Sequence, residues 1–312
     1  MHPTFSIIFF TSASGAGYGL LALAGAFGAG GLLPPERGFG AALLGLALAL
    51  VSLGLIASTF HLRHPERAWR SLSQWRSSWL SREAVAALLT YLPALAFAAG
   101  WVGFEAIWGW LGILGALLAL ATLVCTGMIY ASLKPIRAWH TPWVPASYLG
   151  FALMTGALWL AALLSAFGVQ ANGALALALA SSALAWALKA GHWRHLERAP
   201  NPSSPETATG LGRFGSVRPL DPPHTGENYL THEMGFQIAR KHAAKLRRLA
   251  LLFGLLLPAG LILILFFAEG WWTVPIAFAA AFSGMLGVVI ERWLFFAEAK
   301  HTTALYYGER RA

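Results

Sequence analysis

Apolar residues in this chain come in uncharged runs about 20 residues long, separated by short polar stretches. A helix rising 1.5 Å per residue needs about that length to cross a hydrocarbon layer of about 30 Å. Eight such runs are present, at roughly 5–32, 41–60, 84–104, 107–131, 147–167, 174–188, 249–267 and 273–290. The last continues in character through Trp293 and Phe296, and the sixth, short and alanine-rich, could reach Trp193. The pattern predicts an all-α integral membrane protein, an eight-transmembrane-helix bundle forming one membrane domain over 1–312.

Composition agrees. With 57% apolar and 11% charged residues and a mean hydropathy of +0.60, a soluble core cannot hide the apolar surface. The first run starts almost at Met1 with no basic stretch or small-residue cleavage pattern, so it is expected to be a permanent helix rather than a signal peptide. The single Cys125 excludes an internal disulfide and any four-thiolate cluster built from this chain alone.

Charge then orients the bundle. Of the 22 Lys and Arg residues, 21 fall on the termini and the second, fourth and sixth loops, leaving only Arg37 for the other side. That asymmetry predicts both termini in the cytoplasm, and without the long sixth loop the split is still 11 to 1. The net charge of +9 therefore reports topology, and no nucleic-acid motif accompanies it. The far-side loops are tiny, whereas the sixth loop, 192–248, is long and polar. Its second half, "ENYLTHEMGFQIARKHAAKLRR", spaces Tyr229, Met234, Phe236, Ile238 and Leu246 near a helical period. An amphipathic helix running into the seventh span is expected there, sized to hold a partner or to rest on lipid head groups.

Between the second and third runs lies "STFHLRHPERAWRSLSQWRSSWLSRE", with five arginines, two histidines, three tryptophans and two glutamates. No ionisable residue falls mid-span, which argues against a pump or an ion-coupled transporter. His61 closes the second run and Glu83 opens the third, so antiparallel neighbours would bring them into one interfacial layer. A quinone head group asks for such a pair, because two-electron reduction takes up two protons. A histidine titrates near neutral pH, and a carboxylate at a membrane edge passes protons to and from water. The plainer reading makes His61 interfacial, Glu83 a helix N-terminal charge and the arginines topology markers. Ser81 is the expected N-cap of span three. Tyr130 could donate to a carbonyl, and Glu291 with Arg292 could pair internally or line the same cavity. Gly15 and Gly19 read as a helix-packing seam. His61, His140 and His192 sit near one face, leaving a single haem there as an alternative.

The stretches "HPTFSIIFFTSASGAGYGL", "FHLRHPERAWRSLSQWRSSWLSREAV", "IYASLKPIRAWHTPWVPASYLGFAL" and "THEMGFQIARKHAAKLRRLA" resemble the dimethyl sulfoxide reductase membrane-anchor family. The resemblance covers essentially the whole chain. It implies a haem-free, eight-helix subunit that anchors a molybdopterin catalytic subunit and a ferredoxin-like four-cluster iron–sulfur subunit, and exchanges electrons with ubiquinone or menaquinone. Molybdopterin and clusters would sit only in those partners, with lipid as the remaining contact.

The family's H-L-x-x-P-x-R pattern is met by His61, Leu62, Pro65 and Arg67, and L-S-x-E by Leu80, Ser81 and Glu83. The resemblance thus implies His61 and Glu83 as the reacting pair, with Arg67 and Tyr130 completing the quinone site. The long block "GRFGSVRPLDPPHTGENYLTHEMGF" is similar to anchors of cytoplasmic membrane-bound sulfite dehydrogenases. That implies an inner-membrane complex passing electrons from cytoplasmic sulfite oxidation to quinone, with partners docked on the 192–248 loop. The alternatives are a quinol-oxidising terminal reductase anchor and, in another class, a purely structural anchor or a transporter.

Overall fold

The computed structural model describes residues 4–60, 62, 64–198, 203–221 and 242–307. Among these, every regular element is helical. Eight helices are long and apolar enough to span a membrane: α1 Phe5–Ala29, α2 Arg37–Thr59, α3 Trp79–Gly103, α4 Gly109–Ala131, α5 Trp143–Ala166, α6 Asn172–Arg198, α7 Ala243–Leu265 and α8 Thr273–Ala297. All eight predicted runs are therefore helices, with shifted ends. The largest shift is in α6, predicted over 174–188, which continues to Arg198 because Lys189 and His192 turn into the bundle and find partners there.

Two helices form the centre. The most apolar window of α1 is 89% buried and that of α5 is 78%, against 28–44% for the other six. Small residues explain the difference, since helices in lipid associate where backbones approach closely. A Cβ on Gly19 would strike the backbone of Ala152 in α5, one on Gly156 would strike Gly19, and one on Gly25 would strike Gly112 in α4. Gly19 is thus a seam residue as predicted, but Gly15 is not: a Cβ there would meet nothing within 4 Å. Outer helices turn Leu53, Leu92, Leu117 and Leu256 outward, an apolar belt suited to lipid.

A proline shapes α7. Pro258 has no N–H to offer the Gly254 carbonyl four residues earlier, and the turn before it widens into a π-type segment, Leu252–Leu256. Neighbouring helices satisfy the freed oxygens. Trp186 Nε1 of α6 donates to Gly254 O at 2.8 Å, and Ser283 Oγ of α8 donates to Phe253 O at 2.7 Å.

The polar stretch between α2 and α3 forms a 3-10 segment, Pro65–Gln74, with no buried residue. Ser81, predicted as an N-cap, instead lies inside the first turn of α3, which begins at Trp79. Its hydroxyl donates to Ser71 O and staples the segment to the helix. Arg82 adds bonds from Nε to Trp75 O at 3.0 Å and from Nη2 to Arg76 O at 2.7 Å. In the sixth loop, Pro205–Thr209 is a short helix whose cap, Ser204, accepts from Thr207 N at 3.3 Å. The predicted amphipathic helix is described only in its last residues, where α7 begins at Ala243, and 227–241 lie outside the described residues.

Candidate functional site

The first four helices leave a cavity of about 400 Å³ at the end that carries the Pro65–Gln74 segment. Ile7 and Phe10 of α1, Leu55, Ser58 and Thr59 of α2, Leu80, Glu83 and Ala84 of α3, and Ile129 and Tyr130 of α4 line it. Leu62, His64, Arg67, Ala68 and Ser71 close it from the connecting stretch. The walls are thus aliphatic and aromatic, with a few ionisable groups at one rim, the composition of a site for a small, flat, amphipathic molecule.

Glu83 is the carboxylate of that cavity and is only 5% exposed. Its position follows from the helix start: Trp79 begins α3, so the fifth residue, Glu83, has turned inward toward α4. There Thr126 Oγ1 donates to Glu83 Oε1, while Thr126 also bonds its own chain at Thr122 O, 3.0 Å away. A buried carboxyl with one neutral hydrogen-bond donor and no ion pair within the described residues has a desolvated charged form, so it is suited to taking up and releasing a proton.

Three of the four sequence-predicted site residues, Glu83, Arg67 and Tyr130, line this one cavity. The fourth, His61, lies outside the described residues, although its neighbour Leu62 is a lining residue. Arg67 and His64 sit at the mouth and share Glu66: His64 Nδ1 is 3.0 Å and Arg67 Nε 3.7 Å from Glu66 Oε1. Tyr130 forms the inner wall, its ring centroid 5.2 Å from Trp139, 5.8 Å from Tyr148, 5.5 Å from Phe295 and 5.3 Å from Phe296.

Sequence reasoning missed His64 and Thr126. His64 was visible, three residues after His61 in the same polar stretch. Thr126 carried no signal, because a threonine in an apolar run ordinarily bonds its own helix.

Glu291 and Arg292 do pair, Arg292 Nε lying 3.2 Å from Glu291 Oε2, but neither lines the cavity. A third member was not foreseen: Lys189 Nζ of α6 lies 2.5 Å from Glu291 Oε1. All three are buried, at 3% exposure for Lys189, 0% for Glu291 and 2% for Arg292. Nearby, His192 Nε2 donates to Ala138 O at 3.0 Å and His140 Nδ1 to Ala131 O at 2.7 Å. Just beyond α8, Glu298 is 3.1 Å from Arg247, yet burial holds its carboxyl above the ordinary range against that cation.

A bundle of eight membrane-length helices, with a cavity and its polar groups at one end, is a polytopic membrane protein. The chain belongs to the DMSO reductase anchor subunit (DmsC) family, which it matches over residues 1–298. It is 36% identical to a sulfite dehydrogenase subunit of Allochromatium vinosum, over 98% of this chain and 99% of that one. No solved structure matches it. It is therefore a multi-pass membrane anchor of the molybdoenzyme class.

Proposed function

We propose that this anchor passes electrons between a docked iron–sulfur subunit and a quinone held in the cavity between α1, α2, α3 and α4. The single observation that carries the reading is the burial of Glu83 in a cavity of about 400 Å³ whose other walls are mostly aliphatic and aromatic, with Ser58, Thr59, His64, Arg67 and Ser71 as the remaining polar side chains besides the Tyr130 hydroxyl. A quinone ring with the start of its tail suits such a site, because the tail needs apolar walls open to lipid and the ring oxygens need a few hydrogen-bonding groups.

The quinone supplies two-electron, two-proton redox chemistry. Glu83 delivers a proton to one ring oxygen and regains one from water at the mouth, with Thr126 orienting its carboxyl, and the second proton reaches the other oxygen from water at the same mouth. His61, which the family pattern places beside Leu62, hydrogen-bonds the other oxygen. Arg67 and His64 shape the mouth, and Tyr130 limits how deeply the ring enters.

Similarity to the sulfite dehydrogenase relative favours sulfite oxidation on a molybdopterin partner, with electrons flowing to quinone. The basic end carries the cavity, so the ferredoxin-like partner docks there, on the cytoplasmic face of the inner membrane, with the 192–248 loop as its holding element. Charge asymmetry supports that orientation.

The test uses the assembled complex. His61→Ala or Glu83→Gln is expected to abolish quinone reduction while sulfite oxidation with an artificial acceptor persists. Loss of both activities would assign the residues to assembly, and intact quinone turnover would leave a structural anchor. Solute movement in liposomes without partners would instead indicate a transporter.

A further inference from the structure

Between α1, α5 and α8 lies a second, much smaller cavity of about 10 Å³, bordered by Ser12, Gly15, Tyr148, Thr155 and Arg292. That is about the space one water requires, provided polar partners are present. They are. Ser12, 2% exposed, carries a buried hydroxyl with no hydrogen-bond partner among the described residues, and the hydroxyl of Tyr148, 3% exposed, has no well-formed bond beside Tyr130 and Arg292. Thr155 donates to Phe151 O at 2.7 Å, so its oxygen retains capacity to accept. Gly15 makes the room, since a Cβ there would meet no atom within 4 Å.

On one side of this cavity stands the charged triad. Lys189 and Arg292 both pair with Glu291 in a sealed interior. Arg292 also lies on an aromatic face: its guanidinium carbon is 3.9 Å from the Tyr148 ring centroid. Tyr148 in turn stacks on Tyr130, with centroids 5.8 Å apart and planes at 19°. Tyr130 is the inner wall of the head-group cavity. A continuous line of contacts therefore runs from Lys189 on α6, through α8 and α5, to a pocket built by other helices.

We propose that one water is bound between Ser12 and Tyr148, and that with it Lys189, Glu291 and Arg292 form a buried brace fixing Tyr130 against the quinone pocket. The water gives the Ser12 hydroxyl its partner and, by bridging it to that of Tyr148, sets the tilt of the Tyr148 ring. Arg292 packs its guanidinium against the same ring. The three residues are positioning residues that never touch the head group. Only the kinetic consequence rests on the quinone reading above.

Two arms test this in the assembled complex. In a structure at a resolution that shows ordered solvent, density is expected within hydrogen-bonding reach of Ser12 Oγ and Tyr148 Oη. In the Lys189→Met/Glu291→Gln/Arg292→Met variant, which leaves no unpaired buried charge to unfold the bundle, the Tyr130 ring is expected to shift. Missing density or an unmoved ring overturns the proposal.

In the kinetic arm, Arg292→Met and Tyr130→Leu should each raise the KM for a short-chain quinone roughly tenfold. The double variant should go no further than the worse single one, because both act through one wall. Multiplying effects overturn the brace. If Glu83→Gln leaves quinone turnover intact, the quinone reading has failed, and the structural arm still decides the brace by itself.

Discussion

Two polar regions share one end of this bundle and differ in almost every physical respect. The pocket of α1 to α4 is roomy, bounded by Glu83 with a single neutral donor and by Arg67 and His64 at an exposed mouth. The triad of α6 and α8 is sealed, with both cations on one carboxylate and aromatic rings packed around it. Glu83 faces an open cavity with one neutral hydrogen-bond partner, whereas Glu291 is held between two cations and packed on all sides, an arrangement that serves structure. Thus Glu83 and Glu291, both buried glutamates near helix ends, differ by their neighbours alone, one opening on a cavity and one fixed in an ion-paired cluster.

Substitutions at the two glutamates should split the same way. Glu83→Gln preserves shape and the Thr126 contact while removing the exchangeable proton, so quinone turnover should fall about 100-fold to 10,000-fold, with the thermal transition of the complex unchanged. A shifted transition with normal turnover would reverse the assignment.

Glu291→Ala should do the opposite. It leaves Lys189 and Arg292 buried without an anion, and the subunit should lose about 3–5 kcal/mol, read as lowered thermal stability or failed assembly. Replacing all three members with apolar residues should recover most of that loss.

A smaller effect is expected at Trp186→Phe, which strands the Gly254 carbonyl freed by Pro258 and should cost about 1 kcal/mol in thermal unfolding. Smallest is Arg37→Ala. The Arg37–Glu105 pair, 2.6 Å apart, is more than half exposed on both sides and should contribute under about 1 kcal/mol, with no measurable change in turnover.

Much of this arrangement was legible along the chain, because lipid imposes a simple rule: a spanning segment must satisfy its backbone internally and show apolar side chains outward. Eight uncharged runs therefore sufficed for eight helices. The polar stretch between α2 and α3 stood out by contrast and pointed to His61 and Glu83 as one site, while Arg67 and Tyr130 came from the family resemblance; of these, Glu83, Arg67 and Tyr130 line one cavity.

Helix ends were less legible. Lys189 looked like a loop cation because the composition of α6 turns polar there, and the partners that receive it and His192, namely Glu291 and the Ala138 carbonyl, lie far away in the chain. Ser81 had the chemistry of a cap, but its hydroxyl went to Ser71, a partner ten residues earlier that only the 3-10 turn brings near.

The sequence by itself determined that the chain spans a membrane with eight helices, that its polar groups gather at one end, and which motif connects the second and third. Those properties depend on hydropathy and spacing, which are local. Tertiary packing decided that α1 and α5 are central, that Thr126 meets Glu83, that Tyr130 is the inner wall of the cavity, and that Lys189 is buried with Glu291 and Arg292. In lipid every span is apolar, so hydropathy cannot rank helices by depth. Close backbone approach at a few glycines, and pairing of charges far apart in the chain, set which faces meet.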